Sequence, residues 1–487
     1  MMVIKRRSLL GGAAVAGGLF AAGPFSGFLA RQSAPPQPPS RIKLAPTADL
    51  RDGVARLWVP EGFAYRSFHD TEWPVVLDDG SRLPGSHDGM GAFQAPGGNT
   101  ILVRNHEVKV TGSAFGPGNV TYDPAAGGGA TTIEVTRYGE VVRSHTSLSG
   151  THTNCCGGRM PWGTWISCEE TVHGPDVAGL GNYQLRERHG FIFEVPAQGT
   201  VEPRPIMAAG RFAHESVAYD PAGGALYLTE DNFAFASCFY RYLPPRAPDP
   251  LRTDGRGIAD GGRLQALAVK GRPRLDLAGA QEPGAVFPVT WVDIDDPAPS
   301  FPYTAGVPAP TSEHKALRHV GDQGRDGGAA LFSRLEGSTF RQGVVFFTST
   351  QGGGRPEKDD GPFDSGYGNG HGQIWAYHCA EQVLRLVYQA PAVDGLDFPD
   401  NITTSPNGTL ILCEDGANNN YVRGLTRHGQ VLDIALNRLT NRAGVSREAD
   451  EFAGCAFSPD GHTLFVNVLA IHGMTFAIWG PWAKLGI

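Results

Sequence analysis

Acidic residues recur at fixed places along this chain. In the stretch 210–231, GRFAHESVAYDPAGGALYLTED, Glu215 opens the apolar run VAY. An Asp-Pro-Ala-Gly-Gly turn follows at 220–224, and the run ALYLT closes on Glu230 and Asp231. A hairpin reverses direction, so its opening and closing residues share one rim. Carboxylates gathered in one mouth repel each other and stay ionised there only with cations between them. The chemistry this set supports is the binding of several metal ions.

The unit recurs five more times. DGMGAFQAPGGNTILVRNHE runs from Asp88 to Glu107, CCGGRMPWGTWISCEE from Cys155 to Glu170, and EGSTFRQGVVFFTST from Glu336 to Thr350. DNITTSPNGTLILCEDG begins at Asp400, and GCAFSPDGHTLFVN runs from Gly454 to Asn467. Most copies lie about 50 to 70 residues apart, with one gap near 120 between Glu215 and Glu336. Strand-built repeats of this length predict an all-β fold, a six-bladed β-propeller with loop insertions. The hairpin ends then form one ring: Asp88, Glu107, Cys155, Glu169, Glu170, Glu215, Glu230, Asp231, Glu336, Asp400, Glu414 and Asp415. A solvated turn acid explains any single member. It does not explain the set.

Two residue types add to the acids. Of the seven cysteines, Cys155 alone takes an opening position used elsewhere by Glu215 and Glu336. A thiolate there favours a softer metal such as iron, beside oxygen sites suited to calcium. A paired or simply buried thiol is the alternative, and Cys156 beside it leaves open which thiol binds. Arg334 is two residues from Glu336 and shares its strand face, and Arg211 stands before His214 and Glu215. Two arginines in one mouth suit an anionic substrate such as a phosphate, although an Arg–Glu ion pair gives the same pattern. Glu169 and Glu170 turn opposite ways along the strand, and Glu170, matched to Glu230, is expected to face the channel. His106 is either a ligand or a support for Glu107.

The chain has 487 residues, a net charge of -8, 66 glycines and 37 prolines. Nothing in that balance suggests a nucleic-acid surface. The Gly and Pro content fits many turns, because apolar strands lie between them. Residues 1–30, with Arg6-Arg7-Ser8-Leu9-Leu10 before a weakly apolar Gly/Ala stretch, predict a twin-arginine export signal. An ordinary secretory signal or an anchor is the alternative. Residues 31–48 predict a linker, 49–487 the propeller, and 244–330 an insertion able to cover the mouth. No stretch after the signal is long and apolar enough to span a bilayer. Motifs of serine hydrolases, zincins and P-loop nucleotidases are absent from the sequence.

The chain resembles the PhoX family of exported alkaline phosphatases. The resemblance rests on TNCCGGRMPWGTWISCEE, GRFAHESVAYDP with YLTED, FSRLEG with FFTSTQGG and GQIWAY, FPDNITTSPNGTLILCEDG, and EFAGCAFSPDG with FAIWGPW. It covers about 50 to 485. It implies a six-bladed propeller holding Fe(3+) and Ca(2+) ions joined through an oxide. It also implies hydrolysis of small phosphate monoesters by an oxide or hydroxide on those metals. By the same resemblance Cys155, Glu215 and Glu336 are iron ligands. Glu107, Glu170, Asp231, Asp400 and Glu414 are calcium or bridging ligands, and Arg211 and Arg334 hold the phosphate. The partners expected are the phosphoester and the twin-arginine machinery, for a monomer in the periplasm or outside the cell. A calcium-dependent propeller lactonase or a non-catalytic metal-binding propeller remains the alternative, separated from the first reading by iron content and phosphatase turnover.

Overall fold

The computed structural model describes residues 42–179, 181–249, 257–358, 361–391 and 395–487. The signal expected over 1–30 and the linker up to residue 41 lie outside the described residues. The last part of that expected linker is regular structure. Leu44–Ala48 is a strand paired with Ala55–Pro60.

Each of the six repeats forms the expected hairpin, because β-branched and aromatic runs flank Gly- or Pro-containing turns. The first joins His87–Gln94 to Thr100–His106, the second Asn154–Arg159 to Thr164–Glu169, and the third His214–Asp220 to Ala225–Glu230. The fourth joins Leu335–Arg341 to Val344–Ser349, the fifth Pro399–Thr404 to Leu410–Glu414, and the sixth Phe452–Phe457 to Thr463–Val468. The opening strands of the six pack side by side in sequence order, and the sixth packs back on the first. They surround one channel. The result is an all-β, propeller-like fold.

Six separate blades are not what the sheets show. Four sheets have three to six strands each, and the third and fourth hairpins share one nine-stranded sheet. The join is made by Val286–Asp293, whose Val286 pairs with Arg385 of the strand Val383–Gln389. Two strands within the expected insertion, Arg263–Val269 and Val286–Asp293, are therefore part of the sheet. The one described helix of 244–330, Glu313–Asp326, is capped by Ser312, whose hydroxyl accepts from the Lys315 N–H.

Two early strands tie the ring shut. Ala64–Phe68 adds to Met474–Trp479, and Ala55–Pro60 adds to Val431–Asn437. Much of the core lies between the two halves of the nine-stranded sheet, as where Phe239 stacks on Phe347 with centroids 4.4 Å apart. Burying such a side chain stabilises the fold by roughly 1.5–3 kcal/mol. Among the described residues, no helix is long and apolar enough to cross a membrane.

Candidate metal centre

All six hairpins carry the same irregularity. In the third, His214 pairs with Glu230 and Val217 with Leu228, so Glu215 and Ser216 face Thr229 alone. The same two-against-one bulge falls at Asp88–Gly89, Cys155–Cys156, Glu336–Gly337, Asp400–Asn401 and Gly454–Cys455. A bulge re-aims a side chain out of the sheet's alternation. Here it turns the opening residue into the channel. The chain two residues earlier is strained in four copies, with φ of 49° at Ser86, 52° at Thr153, 36° at Arg334 and 47° at Phe398.

Close packing locks the bulges to one another. A Cβ on Gly89 would lie 2.4 Å from the Cys156 Cα, and one on Gly454 would lie 2.3 Å from the Asp88 carbonyl oxygen. Asn105 donates to the Cys155 and Cys156 carbonyls at 2.8 and 2.7 Å. Thr348 donates to the Asp400 carbonyl at 2.8 Å.

The opening residues line a cavity of about 350 Å³. Five hairpins supply Asp88, Cys155, Glu215, Glu336 and Asp400. The residues just after the closing strands supply Glu107, Glu170, Asp231 and Asp415. Asp450 and Glu451, immediately before the sixth hairpin, complete ten carboxylates. The lining holds two cations, Lys109 and Arg334. Lys109 pairs with Glu107 at 2.8 Å. Arg334 bridges Asp231 at 2.8 Å and Glu336 at 2.7 Å.

The donors fall into two touching groups. Ligand atoms of Cys155, Glu170 and Glu215 lie within 4.8 Å of one another, as do those of Glu215, Glu336 and Asp400. Glu215 belongs to both. Burial, then the neighbouring charges, pushes the carboxyls of Glu215, Glu336, Glu170, Asp88 and Glu451 well above their ordinary range. Burial and Asp415 lift Asp400 to about 8. Burial and Glu215 hold the Cys155 thiol up, and it donates to the His214 carbonyl at 3.0 Å. Such groups ionise together only around added positive charge, so the residues present fit several cations.

Seven of the eight expected metal ligands line this cavity: Glu107, Cys155, Glu170, Glu215, Asp231, Glu336 and Asp400. Glu414 does not. It faces the sheet interior, accepting from Arg423 Nε at 2.9 Å and from the Asp397 and Tyr421 N–H groups. Asp415 takes its place. In the first, second, third and fifth hairpins the last residue of the closing strand is paired and turned inward, and the next one faces the channel. Glu169 accepts from His189 and from the N–H groups of His152 and Gly190. Glu230 accepts from the Cys238 N–H and the Tyr240 hydroxyl. Glu170 therefore corresponds to Asp231, not to Glu230. His106 also turns inward, to the Gly85 carbonyl and the Thr131 hydroxyl, so it supports the strand.

Arg211 is not in the mouth either. It is buried against Asp176, with two hydrogen bonds of 2.7 and 2.8 Å, and donates also to the carbonyls of His189, Pro299, Val172 and His173. Every guanidinium nitrogen is engaged, so it holds loops together. Sequence reasoning missed Lys109, Asp450 and Glu451. Their signal was position: each flanks a hairpin end, but on the loop side.

Fold and cavity together define a propeller-like protein whose channel mouth is built for cations. The family described as alkaline phosphatase PhoX matches residues 42–145 and 124–470. The chain belongs to that family; it is a phosphatase of the metal-dependent kind the family comprises. Among solved structures it is similar to Pseudomonas fluorescens PhoX in complex with vanadate, a transition state analogue, at 16% identity and a TM-score of 0.62. That likeness covers 91% of this chain and 97% of the other. A selenomethionine-substituted virginiamycin B lyase from Staphylococcus aureus matches at 12% identity and a TM-score of 0.36, over 86% of this chain and 99% of that one. A search of curated proteins finds no match.

Proposed function

We propose that this phosphatase hydrolyses phosphate monoesters at a centre of ferric and calcium ions. Cys155, Glu215 and Glu336 would hold the iron, the thiolate suiting the softer ion. Glu107, Glu170, Asp231, Asp400 and Asp415 would serve calcium with hard oxygen donors. When bound, the ions supply positive charge to the phosphoryl and leaving oxygens. The observation that carries this is Glu215, shared by a thiolate-containing group and an all-carboxylate group.

The chain's own residues supply positioning. Arg334 is fixed by Asp231 through Nε and Nη2 and by Glu336 through Nη2. That leaves the Nη1 side of the guanidinium for a phosphoryl oxygen, where it stabilises the charge that grows during transfer. Lys109 stands at the more open rim, its side chain 68% exposed, and suits the incoming ester as a mobile point charge. The bulge-to-bulge contacts keep the donors from relaxing as charge changes. The vanadate bound in the Pseudomonas fluorescens relative is a phosphoryl-transfer mimic and agrees with this reading.

We read the six inner hairpins as six blades, two of them fused. We further propose export by the twin-arginine route, from Arg6-Arg7, in line with a centre assembled before export. The chain then acts as a monomer in the periplasm or outside the cell. The test of the function is release of p-nitrophenol from p-nitrophenyl phosphate, with and without a calcium chelator. The reading requires turnover that the chelator abolishes and calcium restores. No turnover with the cations in place defeats it.

A further inference from the structure

An exposed aromatic ring stands beside the acidic cavity. Phe233 lies two residues past Asp231 and is 45% exposed, whereas Phe235 and Phe239 after it are buried. Its ring packs on Arg334, with the guanidinium carbon 5.1 Å from the ring centroid. None of the residues that line the cavity is aromatic. A single exposed apolar side chain needs no explanation by itself. This one touches the arginine that faces the incoming phosphoryl group.

The backbone under the ring is fixed. The Asn232 N–H donates to the Ser237 hydroxyl at 3.2 Å, and the Asn232 side chain donates to Glu230 at 3.1 Å. The Phe233 carbonyl accepts from the Tyr367 N–H at 2.8 Å, and the Ala234 carbonyl accepts from the Phe363 N–H at 3.0 Å. A ring held in place this way loses little freedom when a ligand meets it.

Arg334 and Phe233 thus offer two chemistries side by side. The guanidinium suits an oxyanion, and the ring suits a flat apolar group. Carboxylates fill the inside of the mouth, so the alcohol part of a bound ester points outward, toward the exposed ring. Aromatic rings attract each other at centroid separations of about 4.5–7 Å. With the phosphoryl group on Arg334, a ring joined through the ester oxygen comes within that reach of Phe233. A small alkyl group gains no such contact.

We propose that Phe233 sets the substrate preference of this phosphatase, for monoesters whose alcohol part is an aromatic ring. The ring of the ester stacks on Phe233 while its phosphoryl group lies on Arg334. The proposal rests on the phosphoryl-binding role given to Arg334 above.

The test is calorimetric titration of the metal-loaded enzyme with phenylphosphonate and with methylphosphonate, which carry the same head and no ester to cleave. Wild type should bind phenylphosphonate at least about tenfold more tightly than methylphosphonate. Phe233→Ala should bind the two within about threefold, through loss of phenylphosphonate affinity alone. Phe233→Tyr, which keeps the ring, should keep the preference. If F233A does not fold, Phe233→Leu decides, because it keeps apolar bulk on Arg334 but has no ring face, and its preference should fall at least about threefold. Equal affinities in wild type, or no binding of either probe, overturn the proposal. So does an equal loss for both probes in F233A, which is what a ring that merely braces Arg334 would give. Turnover of p-nitrophenyl phosphate is followed in parallel. Its absence in wild type defeats the monoesterase reading, whereas the phosphonate preference is read without turnover, so the two fail separately.

Discussion

The Thr229 hydroxyl donates to the backbone carbonyl of Glu336 at 2.6 Å. Thr229 stands opposite the third bulge, and Glu336 is the residue that the fourth bulge turns into the cavity. The bond therefore sets one ligand from the neighbouring hairpin. Thr229→Val keeps the shape and strands a buried carbonyl, which should cost about 1–3 kcal/mol. A lowered Tm together with reduced cation content is the expected outcome, read by thermal unfolding and elemental analysis.

The two adjacent cysteines should behave in opposite ways. Cys155 faces Glu170 and Glu215, whereas Cys156 lines a separate cavity at the opposite end of the channel. Cys155→Ser should lose iron and most of the activity. Cys156→Ser should keep both. Iron content of the purified variants checks this directly.

Arg334 and Arg211 should also separate. Arg334→Gln should lower kcat/KM by about 10²–10³ for want of a transition-state donor, and in the cation-loaded protein its Tm should fall less than that of Arg211→Gln, because bound cations also neutralise its partners Asp231 and Glu336. Arg211→Gln strands the buried Asp176 and should cost about 3–5 kcal/mol of stability. Steady-state kinetics beside thermal melts distinguish the two effects.

Stability without cations should depend on pH. The cavity carboxyls are raised in the folded state, Asp400 to about 8. The unfolded chain releases these protons first, so the folded form binds more protons and stability falls as pH rises. The contribution is present below the unfolded range near pH 4 and is lost as pH passes about 8. Chelator-treated protein should therefore show a Tm that drops between about pH 5 and 9, and cation-loaded protein should not.

Much of the centre was legible because hairpin ends share a rim, and turn chemistry marks hairpins plainly. Glu107, Asp231 and Asp400 followed from that alone. Glu414 was misplaced because Glu414-Asp415 offers two acids in a row, and pairing of Glu414 with Pro399 decides which turns inward. Strand register is not written in composition. Arg211 was misplaced because its partner Asp176 lies 35 residues upstream, on a loop with no repeat signal. The joined sheet was hidden for a similar reason. The Val286–Arg385 pairing spans most of two repeats, and strand runs alone do not specify which edge meets which.

The most direct measurement is the iron and calcium content per chain, in wild type and in Glu215→Gln. Glu215 joins both donor groups. Wild type should carry both metals, and the variant should lose both together with phosphatase turnover. Calcium without iron in the wild type, or unchanged metals in the variant, would contradict the shared centre.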